Sequence, residues 1–378
     1  MILPKKKGYK NNDLLRQKVD VIPSCRFQRG ESNSERHFLK KKYTIRDVAK
    51  AAKVSHMTVS RVLNNNPQVR AKTKEKVLKV ISDLDYEPDG RARAFVTKKS
   101  RLLGLVVSDI SNPFYAEISR GIEDKAFDMG YCVIFCSSDE LTRRTGDCVS
   151  HMRRTGVDGM IFTSVHLKEP AVEKLIAEGF PVVLVNRKLK SSNYHYVICN
   201  NYKGSYDITE YLLKLDYKKV AIISGHSYLS TGIDRLSGYR KALEDNGIAL
   251  RPEYIIQTAF TRDAGYEAAK KLLTLEDRPE AILGGNDYIA MGVMDAADEL
   301  GLSIPDDLSL TGFDNTNFAG RWSPKLTTVS QEIYQMGNLA VQILVDTIDR
   351  KNLDYVHKVV LNPKIIVRES CGHRLRKK

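Results

Sequence analysis

Two patterns of apolar and polar positions divide the chain, and they change over near Leu102. Before it, apolar residues recur at three- to four-residue spacing in short stretches, the mark of small amphipathic helices. Thr44 is placed to cap the first, with Asp47 three residues on as the acidic half of a capping box, and Val48, Ala51 and Ala52 form its stripe. Ser55 is a second cap, and Val59, Val62 and Leu63 form the inner face of a second helix. A third is predicted over 72–85, with Val77, Leu78, Ile81 and Leu84 on one face. From Leu102 the runs become continuous, as in LLGLVVSDI, and alternate with helical stretches. Strands are predicted in 102–110, 132–137, VDGMIFTS, PVVLVN, KVAIISG, YIIQ, EAILGG and LSLTGF. The helices fall near 113–130, 140–156, 169–179, 201–216, 231–246, 263–275, 287–300 and 331–350, and two short strands close the chain. Repeated βα units build parallel sheets covered by helices. Nearly 280 such residues exceed one small sheet, so two lobes with a cleft between them are expected.

Charge sharpens this division. The chain carries 60 Lys and Arg against 46 Asp and Glu, a net of +14. Residues 1–101 hold 26 basic and 10 acidic side chains, and the remaining 277 residues hold 34 and 36. The positive charge therefore belongs to the part with the small helices, which points that part toward a polyanion. The side chains left on the outer face of the second helix are His56, Met57, Thr58, Ser60, Arg61 and Asn64, a set suited to base edges and phosphates in a major groove.

Residues 1–42 carry KKK at 5–7 and at 40–42 with few large apolars between, and read as a disordered basic arm. The three helices make a head over 43–87, a basic hinge or linker covers 88–101, a two-lobed domain covers 102–370, and a basic tail ends the chain at 371–378. The six cysteines (25, 132, 136, 148, 199 and 371) lack the spacing of a zinc site; with Cys132 and Cys136 in a run that reads as a buried strand, free thiols are expected. No secretory signal and no membrane-length apolar run is present, so a cytoplasmic protein is expected. Walker A, GxGxxG, GxSxG and HExxH motifs are all missing, which argues against an α/β enzyme. The attached basic head argues against a free-standing sugar receptor.

The stretches TIRDVAKAAKVSHMTVSRVLN, PQVRAKTKEKVLKVISDLDYEPDGRARAF and LGLVVSDISNPFYAEI are followed in order by VDGMIF, PVVLVNR, DRLSGYRKAL, GGNDYIAMGVM, PDDLSLTGFDN and SPKLTTV. Over about 43–370 they resemble the lactose/galactose repressor (LacI/GalR) family of transcription regulators. The resemblance implies a helix-turn-helix head and hinge joined to a periplasmic-binding-protein-like α/β core. It implies a non-enzymatic homodimer that holds pseudo-palindromic operator DNA under the control of a small molecule, without metal or cofactor.

Residue by residue, it implies that His56 and Met57 distinguish operators and that Arg61 reads bases. Thr44, Ser55, Thr58, Ser60, Asn64 and Thr73 would hold phosphates or position the head. Arg91 to Val96 match a hinge helix, with Phe95 as a minor-groove wedge where relatives usually have Leu. Lys53 stands in the turn where relatives often have Gly or Asn. The effector contacts it implies are Phe114, Tyr115, Asn186, Arg187, Asn200, Thr231, Arg235, Phe260, Asp287 and Asp314. Asp287 also reads as a helix cap, and Arg235 as a surface helix residue. The implied effector is a sugar or sugar derivative; a corepressor such as a purine, or an activating rather than repressing regulator, is the alternative.

Overall fold

The computed structural model describes residues 43–63, 66–86, 99–191, 193–349 and 355–372. The expectations for the arm, Asn64, Arg91, Phe95 and the end of the tail lie outside these residues. The chain divides into two compact units, Met1–Pro88 and Asp89–Lys378.

In the first unit, α1 (Ile45–Ala52), α2 (His56–Leu63) and α3 (Ala71–Asp83) enclose a small core. The capping box forms: Asp47 N donates to Thr44 Oγ1 at 3.4 Å, and Thr44 N donates back to Asp47 Oδ2 at 2.8 Å. Ala49 is buried with Val48 and Ala52, whereas Ala51 is exposed, so the α1 stripe runs 45, 48, 49, 52. On α3, Val77 is buried and Val80, Ile81 and Leu84 pack beside it. Leu78 is 46% exposed, a correction to the predicted face: the stripe through 77, 80, 81 and 84 turns position 78 away from the core. Lys53 ends α1 in the left-handed region, φ 51° and ψ 47°, which costs a β-carbon-bearing residue about 1–2 kcal/mol. That turn aims α2 across α1, and Val54 N donates to Ala49 O at 3.0 Å.

The second unit holds two sheets of six strands each. The first lobe orders its strands β11-β5-β4-β3-β1-β2, all parallel. These are β1 (Leu102–Val107), β2 (Cys132–Ser137), β3 (Gly159–Phe162), β4 (Val182–Val185), β5 (His195–Cys199) and β11 (Lys358–Leu361). The second lobe runs β12-β10-β9-β8-β6-β7, and only β12 (Lys364–Ile366) is antiparallel to its neighbour. Its other strands are β6 (Val220–Gly225), β7 (Ile255–Thr258), β8 (Ala281–Gly284), β9 (Ser309–Asp314) and β10 (Thr327–Ser330). Helices α4 (Pro113–Asp128), α5 (Thr142–Thr155) and α6 (Pro170–Ala177) follow the strands of the first lobe. Those of the second are α7 (Asn201–Lys214), α8 (Ser230–Asp245), α9 (Arg262–Leu273) and α10 (Asp287–Glu299), with α11 (Ile333–Ile348) last.

The strands β5 and β10 are absent from the pattern-based reading. HYVIC and TTVS are short and mixed, and each is a strand because a neighbour on either side satisfies its backbone. The lobes are also not contiguous in sequence. Helix α11 follows the second lobe, yet its Ile333, Met336, Ala340, Val341 and Leu344 are buried against α4 and the first sheet. Burying each of the four larger ones, Ile333, Met336, Val341 and Leu344, is worth roughly 1.5–3 kcal/mol, enough to fix where the helix docks.

The cysteine expectation is corrected at Cys136 and Cys148, whereas Cys132, Cys199 and Cys371 are free thiols. Strand β2 is the outermost of its sheet rather than a buried one, Cys132 is exposed, and Cys136 is joined to Cys148 by a disulfide. An edge strand with α5 packed over one face exposes part of each side chain and brings the two sulfurs together.

Candidate functional site

On the head, α2 is built as an exposed reading surface. Ser55 caps it, its Oγ accepting from Thr58 N at 3.1 Å and lying 3.0 Å from Thr58 Oγ1. Val59 and Val62 are buried and Leu63 packs beside them, so helical geometry turns His56, Met57 and Arg61 outward. His56, Met57 and Arg61 are exposed, with Thr58 and Ser60 half-buried beside them. Thr44 is exposed at the start of α1 and Thr73 is half-buried in the first turn of α3. The outer face thus carries one guanidinium, an imidazole, a thioether and two hydroxyls.

In the second unit a cavity of about 430 Å³ opens between the lobes. It lies where the carboxyl ends of both parallel sheets converge, the usual ligand position in open α/β folds. Asn112 caps α4, accepting from Phe114 N at 3.0 Å, with Pro113 at the first helical position. That start sets Phe114 and Tyr115 into the wall, with their rings edge to face at 5.2 Å. Asn186 and Arg187 follow β4, Thr231 opens α8, Phe260 follows β7, and Asp314 ends β9. Asn186 (φ 69°) and Asp314 (φ 124°) both hold positive φ without being glycine. Backbone strain of this kind persists where surrounding structure imposes it, and it gathers at binding sites.

Two arginines dominate the chemistry. Arg187 is 2% exposed; its Nη2 donates to Glu140 Oε1 at 2.6 Å, while its Nε and Nη1 have no protein partner. Burial works to raise the Glu140 pKa, but the Arg187 charge and hydrogen bond outweigh it and hold the carboxyl below its usual range. Arg235 is 3% exposed, donates through Nε to Asn201 Oδ1 at 2.8 Å and through Nη1 to Gly285 O, and lies 3.5 Å from Asp314. Its guanidinium sits 3.8 Å from the centre of the Phe313 ring. Phe260 stands between the two cations, 5.8 Å from Arg187 and 5.4 Å from Arg235. The ring fits only because residue 225 is glycine: a β-carbon there would lie 2.4 Å from Phe260 Cε2 and Cζ. Burial raises the pKa of Asp314 despite Arg235, and burial pushes Tyr115 up to about 12, which keeps the phenol a donor. Asn186 Oδ1 and Thr231 Oγ1 are likewise buried without protein partners.

The cavity therefore gathers Phe114, Tyr115, Asn186, Arg187, Thr231, Arg235, Phe260 and Asp314. Two expected contacts are not in its lining. Asp287 is fully buried and spends its oxygens inside the protein: Oδ1 accepts from Thr328 Oγ1 at 2.6 Å, and Oδ2 from Thr316 N and Oγ1 at 2.8 and 3.0 Å. It fastens the turn that follows Asp314, and the cap of α10 is Asn286, which does line the cavity. Asn200 caps α7 by accepting from Lys203 N at 3.0 Å, so its amide is engaged outside the lining, and its neighbour Asn201 holds Arg235 instead. The sequence reading also passed over Asp109, Glu140, Tyr228 and Tyr288. Glu140 could have been found by taking the residues just past the predicted end of β2; Asp109 fell inside the predicted first strand, which the structure ends at Val107. Among the described residues no group of three His, Cys, Asp or Glu is placed to hold a metal ion.

Comparison with known proteins adds the context. The family model described as bacterial regulatory proteins, lacI family, matches residues 44–89, and that of a periplasmic binding protein-like domain matches residues 209–371. Catabolite control protein A of Priestia megaterium is 38% identical over 315 residues, covering 82% of this chain and 94% of that protein. Among solved structures, a lac repressor dimer bound to operator and the anti-inducer ONPF has a TM-score of 0.79 at 25% identity, covering 88% of this chain and 99% of that one. A complex of the transcriptional regulator CelR with cellobiose has a TM-score of 0.67 at 28% identity, covering 87% and 99%.

Proposed function

The chain belongs to the lacI family of bacterial regulatory proteins, and from that premise we infer that its inter-lobe cavity senses a small polyhydroxylated molecule. The protein is a DNA-binding transcription regulator of the repressor type, with an operator, a small-molecule effector and a second copy of itself as partners. In this reading it is a regulator and not an enzyme, like the control protein and repressor it resembles. Like the DNA it reads, it works inside the cell; among the described residues no helix is long and apolar enough to cross a membrane.

The observation that carries the effector reading is the set of buried polar atoms without protein partners on residues that line the cavity: Arg187 Nε and Nη1, Asn186 Oδ1 and Thr231 Oγ1. A buried polar atom without a partner costs about 1–3 kcal/mol. A sugar hydroxyl both donates and accepts, so one polyol can satisfy these donors and acceptors together. The aromatic faces of Phe114, Tyr115 and Phe260 suit the C–H surfaces of such a ring.

Control of DNA follows from linkage. An effector that binds one lobe arrangement more tightly shifts the population toward it, and it changes operator affinity by the same factor by which operator changes effector affinity. The head reads bases through α2, with Arg61 as the base-reading side chain and His56 and Met57 setting operator preference. Two heads on a two-fold dimer read a pseudo-palindrome. The test screens the full chain by thermal shift against sugars, sugar phosphates, polyols and purines. Each hit is then titrated into a complex with an operator selected from a random duplex pool. A sugar-class ligand that raises the melting temperature and changes operator affinity is the expected result. Stabilisation by purines alone would replace the sugar reading, and a hit without effect on operator would refute the coupling.

A further inference from the structure

The disulfide encloses a wall of the cavity. Cys136 is half-buried on the outermost strand of the first sheet, and Cys148 is buried in α5. The chain between them includes Asp139, Glu140 and Leu141, which line the cavity, and Glu140 is the ion-pair partner of Arg187. Asp139 and Glu140 are consecutive non-glycine residues at φ 50° and 57°. Side chains seldom adopt that conformation unless neighbouring structure imposes it. The loop is pinned to the end of β1 by Ser138 N donating to Val107 O and Asp139 N to Ser108 O, both at 2.9 Å. Helix α5 does not need the sulfur bond to dock, because Val149 and Met152 are buried in the same core as Val106, Met160 and Phe162. The bond instead restrains the ends of the left-handed loop. Inside cells, disulfides in proteins of this kind are transient and redox-linked more often than structural.

We propose that Cys136 and Cys148 are a thiol–disulfide switch that orders the Asp139–Leu141 wall of the effector cavity when oxidised and frees it when reduced. The functional part of this rests on the reading of the cavity as the effector site. Reduction uses a dithiol. One of its thiolates attacks the more accessible Cys136 Sγ, the S–S bond breaks, and Cys148 leaves as a thiolate that takes up a proton. The second thiol of the reductant then closes on the mixed disulfide and releases Cys136. Two electrons and two protons pass to the protein, and the reductant departs as its own disulfide. A small-molecule disulfide such as oxidised glutathione runs the sequence backward. Cys132 is exposed on the same strand but lies four residues away, about 13 Å along it, too far to exchange with the pair.

The experiment uses the full chain equilibrated in oxidised glutathione or in dithiothreitol. Thiols are counted after unfolding in denaturant, and amide hydrogen exchange is followed in native peptides covering residues 137–147 and 149–155. Oxidised protein is expected to show four free thiols of its six cysteines, and reduced protein six. Exchange at 138–145 should accelerate at least tenfold on reduction, while 149–155 changes less than twofold. Cys148→Ser should exchange fast at 138–145 in both buffers. Six thiols in excess oxidised glutathione, or equal exchange of the loop in both states, overturns the proposal. Failure of the ligand screen would sink the cavity reading and leave this result standing.

Discussion

Replacing Arg187 tests the effector reading at its centre. Its Nη2 is committed to Glu140, and its Nε and Nη1 are buried and unpartnered. If the effector accepts from those two nitrogens, each charge-assisted bond contributes about 1.5–3 kcal/mol. Losing both costs about 3–6 kcal/mol, a weakening of roughly 10²- to 10⁴-fold. Arg187→Met alone would strand the Glu140 carboxylate, so the variant to use is Arg187→Met with Glu140→Gln. Fold stability should change little, because the ion pair lost is offset by two unsatisfied buried N–H groups that disappear with it. A net change of up to about 2 kcal/mol corresponds to a melting shift of about 4–8 °C at this size. Calorimetric titration with the ligand from the thermal-shift screen gives the affinity, and thermal unfolding without ligand gives the control. Binding at the parent's affinity by a folded double variant refutes the assignment of these nitrogens to the ligand. A melting loss well beyond 8 °C would instead make Arg187 a structural residue.

Further outcomes follow from the same geometry. Gly225→Ala should displace the Phe260 ring from the cavity wall, costing about 1–3 kcal/mol of stability and weakening ligand binding; a crystal structure with the ring unmoved contradicts this. Asp314→Asn should gain stability relative to the parent as pH rises above about 4. Burial raises the Asp314 pKa, so the folded parent holds that proton more tightly, and the group's contribution is full below the unfolded value and lost as pH climbs through the folded one. A pH-independent difference in melting temperature would show that the carboxyl is not so shifted. Arg61→Ala should lower operator affinity by about 1–3 kcal/mol and leave scrambled duplex nearly untouched, while the head unfolds at its parent temperature because Arg61 is exposed. Equal loss on both duplexes would reduce Arg61 to a phosphate contact.

The division into a basic helical head and a helix-wrapped α/β core could be read directly from the sequence, because periodicity and charge are properties of neighbours along the chain. The reading surface of α2 was visible for the same reason: once Val59 and Val62 turn inward, helical geometry dictates what faces out. Cavity positions at the ends of strongly apolar strands, such as Asn186, Arg187 and Asp314, were also within reach. Other features depended on partners remote in sequence. HYVIC and TTVS are strands only because neighbours supply their hydrogen bonds, and α11 joins the first lobe because α4 and the sheet offer the apolar face it needs. Asp287 and Asn200 were expected in the cavity, but Thr316 and Thr328 arrive from other elements to claim the Asp287 oxygens, and Asn200 caps α7 while Asn201 holds Arg235. Cys136 and Cys148 are paired because α5 folds back over an edge strand, a distance that spacing along the chain cannot encode.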